Sequence, residues 1–496
     1  MGAYTRHEHS RRRGRAPRPP SPRLGALGAL PLIALLAAQL ATPRDASAAW
    51  ETEVLTAAEK DNAFDLHLTV GFAHSVRGGK IVREWIQPPS TPDGRPQALD
   101  VKELRVLERK NELRIGLRVG LYHDLELHIS APIVLAQDSV MRYALGAQSA
   151  STVAGSINAD DPNFTGGTPR FPLTDVPDQR FRDGFGDMTF GLSWSPFVEH
   201  KDEAWPTLTL RGDITAPTGS VRTPTELEAL TNAAGGGVGL GQTLFDLSIG
   251  VSRRMREGTP AIDPYVQFGV TLPAATASLQ DLGMEPPVSG RFVVGAELIG
   301  FDDPVEGSRV ALDVSFETRY TGTGRTFSEL SDYLPSFDPT RVLGNRSGPI
   351  TQPDQFEYGD FANARNYASQ VAGARCGKVE GVPCGELNQV EEYVTFGGTV
   401  AALFQITRYA FLRGGVALRH DTDHFLTNER VGTDVDPPTD ALCDGARCSG
   451  RVNARNSTGK DERSPYYDPR YDAPGRRFRL EENTHWTFFV SGGATF

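Results

Sequence analysis

Two histidines and two aspartates fall within five residues at His420-Asp421-Thr422-Asp423-His424. Such side chains hold zinc or another divalent cation when they converge, and an Asp–His pair can activate water for hydrolysis. No second cluster accompanies them, so a hydrophilic rim at a strand exit is the competing reading. Four cysteines lie in two close pairs, Cys376 with Cys384 and Cys443 with Cys448. An even count in close pairs suits two local disulfides. Four thiolates could also bind zinc, although neither pair has the two-residue spacing of a zinc knuckle. His67, His128 and several serines are present, but no spacing singles out a nucleophile with its base. The run Gly235-Gly236-Gly237 and the pair Gly239 and Gly241 lead into a strand with no Lys-Ser/Thr behind them, so they are not phosphate loops. Residues 421–429 lack the turn glycine of a calcium loop. No cofactor and no catalytic residue is expected.

The elements that must position these residues announce themselves by period-two hydrophobicity. Leu113, Ile115, Leu117, Val119 and Leu121 share one face, with Glu112, Arg114 and Arg118 on the other. Tyr122-His123-Asp124 makes a tight turn, and Leu125, Leu127 and Ile129 return against Glu126 and His128. This is a hairpin with one apolar and one charged side. The pattern recurs at 64–72, 187–195, 207–216, 244–252, 264–272, 291–299, 310–320, 392–404, 410–420 and 484–496, about twelve strands in all.

Connections between these strands alternate in length. Short ones lie near 122–124, 196–206, 254–262, 301–308 and 405–408. Long ones cover about 74–110, 136–184, 217–240, 274–289, 321–391 and 421–483. A β-sandwich also alternates apolar and polar residues, but gives no reason for alternating loop lengths. The pattern predicts an all-β protein: a transmembrane, antiparallel, up-and-down β-barrel over 63–496, with short periplasmic turns and long extracellular loops. Twelve strands put both ends on the periplasmic side. The final strand ends in Phe496, an aromatic of the kind that barrel assembly machinery reads, which makes that machinery an expected partner.

Residues 1–49 read as a signal peptide: a basic leader, an apolar stretch at 24–41 and a small-residue site at Ala46-Ser47-Ala48. An N-terminal membrane anchor is the alternative. Residues 1–48 carry eight arginines and two acids, so their removal takes the formal charge from −11 to −17. An acidic chain of this kind is not expected to bind nucleic acid. Mean hydropathy is −0.34, which excludes a helical membrane bundle but not a barrel. Residues 50–62 are a short periplasmic segment, too short for a plug domain.

If the apolar faces meet lipid, the opposite faces line a lumen. Its candidate lining residues are Arg114, Arg118, Glu126, His128, Asp187, Arg211, Asp213, Glu297, Asp313, Glu317, Arg319, Arg413 and Arg419, with Arg291, Asp65, Glu112, Asp246 and His67 beside them. Nearly balanced charges could fill and cross-link the interior, or orient a solute in a water-lined pore.

Residues 183–195, DGFGDMTFGLSWS, resemble the Gly-x-Gly-Asp signature of a broad family of outer-membrane transporter-like barrels, which includes proteins associated with the phenol meta-cleavage degradation pathway. Residues 206–219, PTLTLRGDITAPTG, resemble the strand that follows, with Ala216 where the family carries Leu before Pro217. The hairpin at 113–133 is similar as well. The resemblance implies a 12-stranded barrel and uptake of small hydrophobic or aromatic compounds, and it brings no catalytic residues. The expected function is passive diffusion of small solutes across a bacterial outer membrane. A non-conducting surface barrel acting through its loops, and a hydrolase with a rim site at His420–His424, are the alternatives. Outer-membrane lipid and lipopolysaccharide are expected partners.

Overall fold

A computed structural model describes residues 49–56, 65–87, 97–144, 178–199, 201–202, 204–222, 237–255, 258–280, 283–303, 306–332, 387–407, 409–433, 464, 466–467, 471–472 and 474–495. Residues 1–48 of the leader expected over 1–49, the four cysteines and Phe496 lie outside them, and so do the disulfide and terminal-residue expectations and all but the last residue of the signal.

The described chain is almost entirely strand: β1 (Leu66–Gln87), β2 (Gln97–Tyr122), β3 (Leu125–Tyr143), β4 (Asp178–Phe185), β5 (Met188–Phe197), β6 (Thr207–Ala216), β7 (Gln242–Ser252), β8 (Ala261–Ala275), β9 (Ser289–Asp303), β10 (Ser308–Thr321), β11 (Gly324–Thr326), β12 (Asn388–Val390), β13 (Tyr393–Thr407), β14 (Ala410–Asp421), β15 (His424–Phe425) and β16 (Phe478–Thr495). A single helical turn, α1 (Ala277–Gln280), follows β8. Twelve strands close a ring in the order β1-β2-β3-β5-β6-β7-β8-β9-β10-β13-β14-β16, and β16 returns to β1 with Phe72 opposite Val490. Every pairing in the ring is antiparallel. β4 extends the wall beside the far half of β3, and β15 pairs with the start of β16.

Register fixes which face each residue takes, because partners across a ladder share a face. Leu68, Leu117, Ile129 and Phe190 form one outward row across four strands, and His67, Arg118, His128 and Gly191 form an inward one. The outward apolar residues stay exposed around the whole ring, from Phe72 and Ile115 through Leu192, Leu247, Phe268, Val314 and Val400 to Phe488. In water, an apolar band closed around a barrel would drive aggregation; in lipid it is the stabilising surface. Tyr122, Trp205, Phe301 and Tyr409 are exposed beside the short connections, where an aromatic girdle meets the membrane interface. No described helix is long and apolar enough to cross a membrane; the strands do so.

The structure departs from the sequence reading at the loop end. β1, β2 and β3 run for 22, 26 and 19 residues, although about 9–11 tilted residues span a bilayer. Most of 74–110, expected as a loop, is therefore wall, and β4 falls in the expected loop 136–184. The physical reason is that this extension stands clear of lipid. Its outward face carries Arg105 and Arg109, so the apolar alternation that marks a membrane strand stops there. Its inward face is apolar instead: Ile81, Leu104 and Met141 are buried with Leu330, Phe478 and Leu480.

Candidate functional site

The inward faces carry the chemistry. Near the short turns, Arg118 grips Glu126 through two bonds of 2.9 and 2.7 Å. His128 meets Asp213 at 2.6 Å, and Arg211 pairs with the same carboxylate at 3.2 Å. This contact depends on Gly191, the inward residue between them on β5. A Cβ there would collide with both the Asp213 carboxylate and the His128 ring. Across the ring, Arg309 pairs with Glu297 at 3.1 Å, while Arg413 pairs with Asp313 at 3.0 Å. Tyr265 donates to Asp313 at 2.8 Å.

Residues 49–56 cross the lumen at this end. A ring of twelve strands about 4.8 Å apart and tilted by about 40° is about 24 Å across. The segment opens with a turn, in which the Thr52 N–H donates to the Ala49 carbonyl at 2.9 Å, and its contacts then run from one wall to the other. Trp50 packs edge-on against Phe411 of β14, with centroids 4.9 Å apart, and donates its backbone N–H to Glu297 of β9 at 3.1 Å. Thr209 of β6 donates to the Thr52 carbonyl at 2.7 Å, and Thr52 bonds Ser252 of β7. Arg118 of β2 reaches the Glu53 carbonyl at 3.0 Å, and the Leu55 N–H reaches Glu126 of β3 at 2.9 Å. The short segment expected in the periplasm at 50–62 is, over 50–56, held inside the barrel. An inward apolar cluster of Ala261, Ile299, Ala311, Leu403 and Phe411 receives Trp50. Its trace in the sequence is the pairs Leu298-Ile299, Leu403-Phe404 and Phe411-Leu412, where alternation lapses at strand ends.

A second crossing closes the loop end. After β11, residues 327–332 leave the β10 side and reach the opposite wall. Leu330 packs beside Ile81, Leu104 and Met141 of β1 to β3. Glu329 pairs with Arg77 of β1, and Asp332 joins Arg182 of β4 at 2.9 Å and Arg222 at 2.7 Å. Burial pushes the Glu329 carboxyl up, but the Arg77 guanidinium, a backbone hydrogen bond and the nearby His424 together outweigh this and hold it below its ordinary value.

Between the crossings lies a charged chamber. Glu317 accepts from Arg319 at 3.1 Å and from Arg419 at 3.1 Å. Arg291 faces Arg319 directly across β9 and β10, and donates to Gln267 at 3.0 Å. Glu112 sits between Lys110 and Arg114, both at 2.6 Å. These side chains point inward yet stay accessible: 63% for Arg114, 42% for Arg211 and Arg319, and 38% for Arg419. Accessible charge on the inside of a closed wall requires solvent-filled space.

Two expectations are corrected. Asp187 was placed among the lining residues of a strand. It lies in the break between β4 and β5 and takes the backbone N–H groups of Gly219 at 3.0 Å and Leu240 at 2.9 Å, which pins two loop stubs. The metal candidate at His420–His424 does not assemble. His420 faces outward beside Thr484 at 3.1 Å, whereas Asp421 faces inward and accepts from Thr395 at 2.7 Å and bonds His485 at 3.1 Å. His424 stacks on Tyr393, with centroids 4.1 Å apart. Neighbours in a strand point to opposite faces, so proximity in sequence separates them in space. Among the described residues no set of three or more His, Cys, Asp or Glu could hold a metal ion.

An apolar outer band, a charged inner face and complete strand closure define a transmembrane β-barrel with a polar chamber. No known family's sequence profile matches the chain, and no curated protein matches it. Among solved structures it is similar to an outer membrane channel from Pseudomonas putida F1, at 10% identity over 85% of this chain and 95% of that one, with a TM-score of 0.34. It is also similar to the outer membrane protease OmpT from Escherichia coli, at 8% identity over 90% and 100% with a TM-score of 0.28. A Pseudomonas aeruginosa FadL homologue is similar at 8% identity over 87% and 90%, with a TM-score of 0.26. A channel and a protease stand side by side at this level of likeness, so it bears on no activity.

Proposed function

We propose that this protein is a bacterial outer-membrane channel through which small solutes diffuse passively. The observation that carries this reading is the chamber itself: arginines on the inner wall that remain open to solvent midway between the two crossings. A barrel serving only as a scaffold would gain stability by filling that space. Three guanidinium groups, Arg291, Arg319 and Arg419, share a wall with two carboxylates, Glu317 and Asp421. That surplus favours small anions, including aromatic carboxylates, over the uncharged hydrophobic compounds that the family resemblance implies. The lining residues then act as a selectivity surface rather than as catalysts.

Single-channel recording of the refolded protein in a planar bilayer tests the reading. Discrete steps whose size follows salt concentration are expected, with a zero-current potential on the anion side in a salt gradient. A folded barrel that never conducts would sink it. A non-conducting surface barrel is then favoured, since chain crosses both mouths.

A further inference from the structure

The outward face of the wall extension carries a charge pattern that the chamber does not explain. Lys80 of β1 pairs in register with Arg105 of β2, and Arg105 pairs with Arg142 of β3. Three cations thus stand side by side on three adjacent strands. Their inward neighbours Ile81, Leu104 and Met141 are buried, which fixes the cations on the outer surface. Arg109, two rungs nearer the apolar band on β2, and Lys102 are also exposed. Like charges directly opposite one another destabilise a sheet, so the row carries a cost in the isolated barrel. Within the row only Lys80 has an ion-pair partner, Glu482, and that carboxylate also lies in the field of Lys102 and Arg105. Among the described residues Arg105 and Arg142 have none, and Arg109 stands opposite Asp138 of β3.

Position supplies the rest of the argument. On β2 the unbroken run of outward apolar residues ends at Leu113, and the outward positions beyond are Asn111, Arg109, Leu107 and Arg105. A strand tilted by about 40° climbs about 2.5 Å per residue along the barrel axis. Arg109 therefore stands about 10 Å above Leu113, and the row at Arg105 about 20 Å above it. Those heights match the phosphate-bearing headgroup and inner sugar core of an outer-leaflet glycolipid whose acyl chains lie on the apolar band. Arginine forks are suited to phosphate oxygens, and exposed Leu107 between the two basic levels offers contact for a sugar face or acyl stem.

We infer that the Lys80–Arg105–Arg142 row, with Arg109 below it, is a docking site for the phosphorylated inner core and headgroup of lipopolysaccharide on the outer wall of the barrel. The inference rests on the outer-membrane placement proposed above, but not on conduction. The site faces away from the lumen, so it anchors and orients the barrel in its leaflet rather than selecting solute.

Native mass spectrometry of the full barrel refolded in detergent tests it, with lipopolysaccharide bearing a phosphorylated inner core, the same glycolipid dephosphorylated, and inorganic phosphate as probes. The phosphorylated glycolipid is expected to bind best. Near a charged membrane surface each cation contributes about a factor of five, so Lys80→Gln, Arg105→Gln and Arg142→Gln together should weaken that binding about 100-fold. The combined Lys80→Arg and Arg142→Lys variant should retain it and guards against misfolding as the cause. Equal binding of the two lipids, or undiminished binding by the triple variant, overturns the inference. Inorganic phosphate binding as tightly as the lipid overturns lipid as the occupant. Bilayer conductance of the triple variant should equal that of the parent. A parent that binds the phosphorylated glycolipid without conducting sinks the channel reading and leaves this one standing.

Discussion

At the scale of single residues, charge inside the barrel is held by short-range pairing rather than by isolated ions. His128, Asp213 and Arg211 can meet only because residue 191 has no side chain. Gly191→Ala should part this contact and leave buried polar groups without their partners, at a cost of about 1–3 kcal/mol. Urea titration of the refolded barrel would show it, and a midpoint unchanged from the parent would refute the role given to Gly191. Glu317 and its arginines should be visible in selectivity instead. Arg419→Gln removes a cation from the chamber and should move the zero-current potential toward cations, while Glu317→Gln should move it toward anions. Identical potentials for both variants would mean that this patch does not face the path of the ions.

At the scale of elements, the crossing by residues 49–56 is the feature most open to manipulation. It is fastened by backbone and side-chain bonds to β2, β3, β6, β7 and β9, and by Trp50 against β14. None of these bonds is needed to close the ring, whose ladders run from β1 to β16 without it. Deleting 49–56 should therefore leave a folded barrel with larger unitary conductance. Trp50→Ala should give a milder rise or more frequent opening. A deletion variant that folds but conducts no more than the parent would show that the narrowest point lies elsewhere.

At the scale of the whole molecule, the two crossings enclose the chamber, and they differ in what holds them. The loop-end crossing depends on ion pairs of Glu329 with Arg77 and of Asp332 with Arg182 and Arg222. Because Glu329 is held below its ordinary value, this pair contributes its full stability above that value, and the contribution is lost as pH falls through the lowered one. The crossing should stay docked from neutral pH down through the ordinary carboxylate range and loosen only as pH falls through the lowered Glu329 value. Hydrogen exchange of 327–332 as a function of pH would report this. Protection lost near pH 7 would contradict the sign.

Wherever lipid or a narrow lumen imposes itself, the sequence alone was sufficient. Period two with apolar residues facing a hydrocarbon band is a local constraint, felt at every second residue. It marked the membrane part of β2 and β3, the inward face of Arg118, Glu126 and His128, and the twelve-strand count. Where the wall leaves the lipid, the constraint lapses, and β1 and β2 above the band could not be told from loop. Only the tertiary structure could place residues 49–56 and 327–332, because their partners lie on strands far away in sequence and each contact is a single bond. Glu297, for example, meets Trp50 across 247 positions. The same holds for His420 and Asp421, adjacent in the chain and parted by the wall, and for Lys80, Arg105 and Arg142, scattered in the chain and aligned by register. Alternation decides the face a residue takes, but only register decides its neighbours.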